Sequence, residues 1–555
     1  MDQMNKTKLN PRKMNNGHRL LAFCILCLFG LFVIAQNEKK RERQKAESRI
    51  YLLHADVLRY DQFRNPGAQI LVGNVKFRHD DVFMYCDSAC FYELDNSFDA
   101  FGHVRMVQGD TLSLVGDVLY YDGMQQLARV RHNVILKHVN STLYTDSLDY
   151  DRLYDLGYFF EGGKLVDKDN VLTSDWGEYS PSTREAVFNY NVKLENPKFT
   201  IISDTLHYNT RTSMAHIVGP SNIDSGDNHI YSESGYYDTQ KDQAYLLDRS
   251  LLTNKGKKLV GDSLYYDSPS GIGKAYGNIR YEDELNKNMF TGNYCYYNEH
   301  TGYSEAADSA LAIDYSQKDT LYLHADTFKI FTYNMDTDSM YRVMHAYHKV
   351  RSYRTDIQAV CDSLIYNTKD SCMSMYKDPI VWNGEQQVLG EQIHVFMNDS
   401  TIDSLQVLYQ ALSVERIDSV HYNQVAGREI HGYFKDGTLD NTWVVGNVFV
   451  DYYPFDSDSL MIGMNYVETS ELKMYMKDRK LYRIWMPAAV GTMYPLGMIP
   501  PDKLYLENFA WFDYIRPRDK MDVFRWRGKK KGTELKISYK HKAPIQKLDQ
   551  ILKKK

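Results

Sequence analysis

One acidic position recurs along this chain with a near-constant step. The strings Val260-Gly261-Asp262-Ser263-Leu264-Tyr265-Tyr266-Asp267 and Val115-Gly116-Asp117-Val118-Leu119-Tyr120-Tyr121-Asp122 are almost the same. Thr145–Asp151 and Ser203–Asn209 repeat them more loosely. Anchored on the acid, the copies fall at Asp56, Asp87, Asp117, Asp146, Asp175, Asp204, Glu233, Asp262, Asn293, Asp326, Asp362 and Glu391. Most steps between anchors are 29 to 31 residues. Four residues beyond each anchor stand Tyr60, Phe91, Tyr121, Tyr150, Tyr179, Tyr208, Tyr237, Tyr266, Tyr297, Ile330, Tyr366 and Val395, ten of them aromatic. A column held in phase over that distance marks a structural repeat, and a short repeat that cannot bury its own face has to stack on its neighbours.

Each copy has a second half. A turn such as Asp267-Ser268-Pro269-Ser270-Gly271 leads to a strand centred on Gly-Asn-Val or a variant, as in Gly73-Asn74-Val75, Gly102-His103-Val104 and Gly277-Asn278-Ile279. No 3.6-residue periodicity competes, so the unit is strand, turn, strand, turn. Alternation assigns the faces. Residues two and four beyond the anchor point inward: Leu58 and Tyr60, Leu119 and Tyr121, Leu148 and Tyr150, Leu206 and Tyr208, Leu264 and Tyr266, Leu364 and Tyr366, with Tyr237 in the same column. The residue between them varies widely (Arg59, Asp149, Glu178, His207, Lys329) and faces water. The 45 tyrosines favour strands, and the mean hydropathy of -0.50 fits thin sheets with one solvated face. The expected fold is all-β: an elongated, stacked pair of sheets with one rung per repeat and twelve rungs. A propeller blade needs a longer repeat, and the charged outward positions argue against a membrane barrel.

The ends differ from the body. Basic residues 1–19 precede the apolar run Leu20–Ala35, which ends in small residues before Gln36. Residues 1–35 read as a secretory signal peptide; the alternative is an uncleaved inner-membrane anchor at 20–35. Either way the body is exported, with the periplasm as the expected location. Residues 36–50 form a mixed-charge linker, 51–410 hold the repeats, and 411–515 hold a divergent β region in which Val445-Gly446-Asn447-Val448 still appears. Residues 516–555 form a basic tail, expected to be disordered or to touch anionic head groups. Residues 1–50 carry a net +7 and 516–555 a net +11, which leaves about -24 on the body. No basic stripe runs along the folded part, so nucleic acid is not an expected partner.

No enzyme is expected. Gly261-Asp262-Ser263-Leu264 resembles a serine-hydrolase opening, but Ser263 sits in strand register, where other copies have Val57, Val118, Trp176 and Tyr294. One acid per repeat cannot cage calcium, and the 17 histidines are scattered, so neither a metal nor a cofactor is expected. The cysteines read as small buried residues, with a Cys361–Cys372 disulfide as the alternative.

Gly-Asn-Val strands alternating with Asp-x-Leu-x-Tyr strands behind a signal peptide resemble the OstA/LptA superfamily. The segment Gly491-Thr492-Met493-Tyr494-Pro495-Leu496 and the many Tyr-rich copies resemble its OstA-like members from Bacteroidetes-type bacteria. The resemblance spans about 51–515. It implies a semi-open β-jelly roll whose apolar groove shelters lipopolysaccharide or a related lipid, and edge-strand pairing with other β-jelly-roll transport components. The candidate groove residues are the inward set Leu58, Tyr60, Leu119, Tyr121, Leu148, Tyr150, Leu206, Tyr208, Tyr237, Leu264, Tyr266, Leu364 and Tyr366. Two other readings stay open: a closed core that takes no ligand, and a structural or adhesive envelope protein.

Overall fold

A computed structural model describes residues 48–60, 63, 67–398, 401–478, 480–533 and 535. The apolar run at 20–35 and all but the last residues of the charged linker lie outside them. The chain is all-β; among the described residues the helical pieces are three short turns near the C-terminus. It divides into two compact units, Met1–Ala215 and His216–Lys555, with the strand Met214–Ser225 carrying the division.

In the first unit, Gln69–His79, Val82–Tyr92, Ser97–Gln108, Leu112–Asp122, Leu127–His138 and Ser141–Asp151 each pair antiparallel with the next. They are about twice the usual strand length, and every pair slips once near its middle, as between Val72 and Val75. At the slip two successive residues take left-handed backbone: Gly73 and Asn74 (φ 82° and 48°), Gly102 and His103 (75° and 45°), His132 and Asn133 (63° and 52°). That is a β-bulge, and a bulge bends its strand. The anchor acid of the previous strand fastens the bend. The Asp56 amide donates to the Gly73 carbonyl at 2.9 Å, and the Asn74 side chain donates to the Asp56 carboxylate at 2.8 Å. Asn133 does the same to Asp117 at 2.7 Å.

The size of the bend follows from one contact. Gln69, Phe91, Phe98 and Tyr121 are partners in a single cross-strand row. His79 ends the strand that Gln69 begins, which on a flat sheet puts it about 33 Å from that row. Yet the Tyr121 hydroxyl lies 2.6 Å from His79 Nδ1. The sheet therefore folds over along its line of bulges, and each strand starts in one face of the sandwich and ends in the other. This corrects the count made from the sequence: a repeat supplies two rungs, not one, and its Gly-Asn pair is a corner. Inside the fold the halves interlock, with the Phe77 and Phe98 rings stacked at 4.2 Å between centroids.

The second unit is built the same way. From residue 402 the rungs lengthen to 14 or 15 residues (Ile402–Arg416, Tyr422–Lys435, Thr438–Tyr452, Gly463–Lys477), and each pair is antiparallel and again slips at a bulge. The divergence seen after residue 410 is this lengthening. Beyond Val490–Pro495 the chain leaves the sheet and straps back over it. Leu506, Phe512 and Ile515 bury themselves against Val360, Ile380, Trp382, Leu389, Leu412 and Val414. Val360 alternates with Ala359 and Cys361 of the inter-sheet core, so the strap covers the outer face. Two buried glutamines on that face each grip the strap backbone twice. Gln387 donates to the Ala510 carbonyl and accepts from the Phe512 amide, both at 2.8 Å. Gln424 donates to Leu504 at 3.1 Å and accepts from Leu506 at 3.0 Å. Arg516 donates to Gln358 at 2.7 Å, and the buried Arg351 donates to the Val523 carbonyl. The first part of the basic tail is thus a packed strap and not a disordered end; residues 536–555 lie outside the described residues.

Candidate functional site

In the first unit the inward column forms one row in which rings alternate with small residues: Tyr121, Ala128, Tyr150, Gly157, Tyr179, Ala186, Tyr208. The four tyrosines are at most 2% exposed. Their hydroxyls sit at the mouth of the sandwich, and three reach the opposite face. Tyr121 meets His79 and accepts from Arg152 at 2.7 Å. Tyr179 lies 2.9 Å from His138. Tyr208 donates to Asp167 at 2.8 Å and accepts from Asn170 at 2.9 Å. Tyr150 donates to Asp155 on its own turn. Burial pushes the Tyr121 hydroxyl up to about 12, against the pull of Arg152. Burial, assisted by Arg152, holds His79 below the usual histidine range, and burial does the same to His138. These contacts shut the mouth. Leu119, Tyr121, Leu148, Tyr150, Leu206 and Tyr208, candidates for a groove, are packed core here. Leu58 and Tyr60 stand on the first rung, 55% and 61% exposed, outside any enclosed interior.

The second unit continues the pattern with Tyr237, Ala244, Tyr266, Gly273, Tyr297 and Ser304, but here the mouth opens. Tyr237 is 5% exposed, Tyr266 is half-buried, and Tyr297 is 44% exposed although its register points it inward. The Tyr237 and Tyr266 hydroxyls donate to Asp242 at 2.5 Å and Glu299 at 3.3 Å, both on turns at the same edge. The cause lies one row deeper. Where the first unit has Val130, Phe159 and Phe188, the second has Ala275, Ala306 and Ala346. Three successive odd rungs of this row carry alanine, and its ring stands instead on an even rung, Phe328, where the first unit has Gly177. Phe290, Ala312, Met344, Tyr366 and Met373 pack only partly against the core beneath them. A Cβ on Gly273 would touch the Tyr266 ring at 4.0 Å. Across the mouth, burial pushes the Tyr281 hydroxyl up to about 12 and that of Tyr297 upward. The exposed Arg342 opposes both shifts, so one cation faces both sheets.

The inward set is therefore split. Tyr237, Leu264 and Leu364 are buried in the floor of this cleft, and Tyr266 and Tyr366 are half-buried in its walls. Phe290, Tyr281, Arg342 and the three alanines were missed by reading one column; the fall in side-chain size from Phe188 to Ala275 was the available signal. Asp262 is a corner fastener, holding Asn278 at 2.7 Å, and Ser263 opens the strand Ser263–Asp267 opposite Tyr276, away from any strand-to-helix turn. Cys86, Cys90, Cys295, Cys361 and Cys372 are free thiols, so the Cys361–Cys372 disulfide is not formed. Among the described residues no group of His, Cys, Asp or Glu is arranged to hold a metal ion. A depression of about 610 Å³ beside Tyr144, Asp146 and Lys164 lies near a corner of the first unit, and the surface it exposes is mainly apolar.

Residues 47–204 match the family model described as OstA-like protein. The match supports a relation of this segment to the OstA/LptA superfamily. No curated protein matches the chain. The matched segment falls within the first unit, while the cleft lies in the second. The family is one of binding and transport in the cell envelope, not of catalysis.

Proposed function

We propose that this protein, OstA-like over residues 47–204, is a periplasmic lipid-handling protein that holds the acyl chains of lipopolysaccharide, or of a related lipid, in the inter-sheet cleft of its second unit. The observation that carries the reading is the half-exposed apolar interior around Phe290, Tyr297, Met344 and Tyr366. Each acyl CH₂ taken out of water into such a cleft is worth about 0.8 kcal/mol. The location follows from the export signal expected at 1–35. Partner jelly rolls would add by strand pairing. Among the described residues Val490–Pro495 pairs only with Gly463–Lys477, and Ile50–His54 only with Gln69–His79, so each offers an unpaired edge. The sealed, hydrogen-bonded mouth of the first unit favours a structural, ligand-free role for that half. Photo-crosslinking residues at 297 and 344 test the assignment. Lipid adducts from these positions, and none from 121 or 208, are the expected result; adducts from neither pair would remove lipid handling.

A further inference from the structure

The outward face of the second unit carries a feature that lipid handling does not use. The position between the two inward residues, charged or variable in most repeats, is Tyr236, Tyr265 and Tyr296 on successive repeats here. Cross-strand register puts Tyr236, Tyr245, Tyr265, Lys274 and Tyr296 in one continuous row. The neighbouring outward row adds Tyr276 against Tyr294, with ring centroids 5.6 Å apart. Tyr245 and Tyr265 are 4.7 Å apart, and Tyr236, Tyr245 and Tyr276 are 42–44% exposed. Rung geometry does not demand this. The equivalent row of the first unit reads Tyr120, Arg129, Asp149, Tyr158, Glu178, Val187, His207, its rings separated by charges, with Arg131 on Asp149 at 2.7 Å. An exposed aromatic patch of this kind marks a binding surface.

We propose that this row is a docking face for an extended, weakly charged glycan strand. Rings recur on rungs about 4.8 Å apart, so the matching ligand is itself linear and repetitive. Charge along the row is sparse: Lys274 is followed, beyond Tyr296, by Glu305 and Lys329, which sit opposite each other across two strands. Such a surface attracts neither a polyanion nor a polycation, and nucleic acid would need a cationic track beside the rings. Tyrosine offers an apolar ring face to sugar C–H groups and a hydroxyl to sugar oxygens, the combination a pyranose chain requires.

The test is co-sedimentation of the purified full chain with isolated peptidoglycan sacculi and with an insoluble neutral β-glucan. It is run on the wild type and on a Tyr245→Thr/Tyr265→Thr/Tyr296→Thr variant. Threonine keeps strand propensity on a solvated face, and an unchanged melting transition confirms folding. The expected result is sedimentation of the wild type with at least one glycan and a loss of affinity of about tenfold or more in the variant. Retention of the wild type in the supernatant with both glycans would overturn the proposal, as would equal binding by the variant. Should the variant unfold, Tyr265→Phe and Tyr265→Thr replace it, with the phenylalanine expected to keep binding and the threonine to weaken it. Tyrosine-dependent binding to phosphatidylethanolamine vesicles, or capture of a protein by a photo-crosslinker at 265, would also overturn it.

Discussion

Two residue-level devices hold this fold, and each has a measurable consequence. The first is the corner. Gly277 has φ 70°, and a Cβ on it would lie 2.5 Å from the Asp262 carboxylate. Gly277→Ala is expected to cost about 2 kcal/mol or more, because left-handed backbone and a carboxylate clash combine. Adding Asp262→Ala should recover part of that loss in denaturant melts; strict additivity would show that the carboxylate does not press on the corner. The second device is the latched mouth of the first unit. His79 and His138 are held neutral by burial, with Arg152 adding to the effect at His79. A free histidine takes its proton near pH 6.5, so the unfolded chain binds more protons than the folded one as pH falls through that value. Stability contributed by the latches is present above about pH 6.5 and lost below it. In an Asp451→Asn background, which removes the opposite pH dependence of the buried carboxylate under the strap, thermal melts at pH 7.5 and 5.0 should show the loss, and adding His79→Gln should reduce it; a melting temperature that ignores pH in that background would contradict the latch.

At the scale of elements, the C-terminal strap is the part with a built-in weakness. Asp451 is fully buried beside Gln424 on the face it covers, and neither carboxylate oxygen has a hydrogen-bond partner among the described residues. Burial pushes this group up to about 7, with Lys503 pulling the other way. Between about pH 4 and 7 the folded state holds a proton that the unfolded state has released, so stability falls as pH rises through that window, by up to about 4 kcal/mol. Asp451→Asn should remove this decline and leave the chain more stable at pH 8; an unchanged pH slope would contradict the assignment. The strap also shows where sequence reading stops. The anchors and the inward Leu and Tyr column were legible because alternation and phase are local properties of the chain. The strap was not, because Gln387 finds Ala510 across 123 residues and nothing in either segment names the other. The Gly-Asn centre was legible as a recurring pair, but its role depends on the facing strand. Asn278 means a corner only because Asp262 lies opposite it. Tyr121 and Tyr297 occupy the same column, and only the side chains behind them decide that one is core and the other stands at an open mouth.

Over the whole molecule, one repeat has been put to two uses. Val130, Phe159 and Phe188 fill the interior of one unit, and Ala275, Ala306 and Ala346 leave room in the other, without any change of strand pairing. The lipid assignment rests on that difference, and the difference can be reversed. An Ala306→Phe/Ala346→Phe variant restores first-unit bulk to the second unit. The full chain, purified from its native envelope as wild type and as this variant, is to be extracted and its co-purifying lipid measured by mass spectrometry. The expected result is stoichiometric acylated lipid with the wild type and a severalfold loss with the variant, both proteins melting alike. Wild-type protein free of lipid, or equal lipid on both proteins, would contradict the assignment of the cleft.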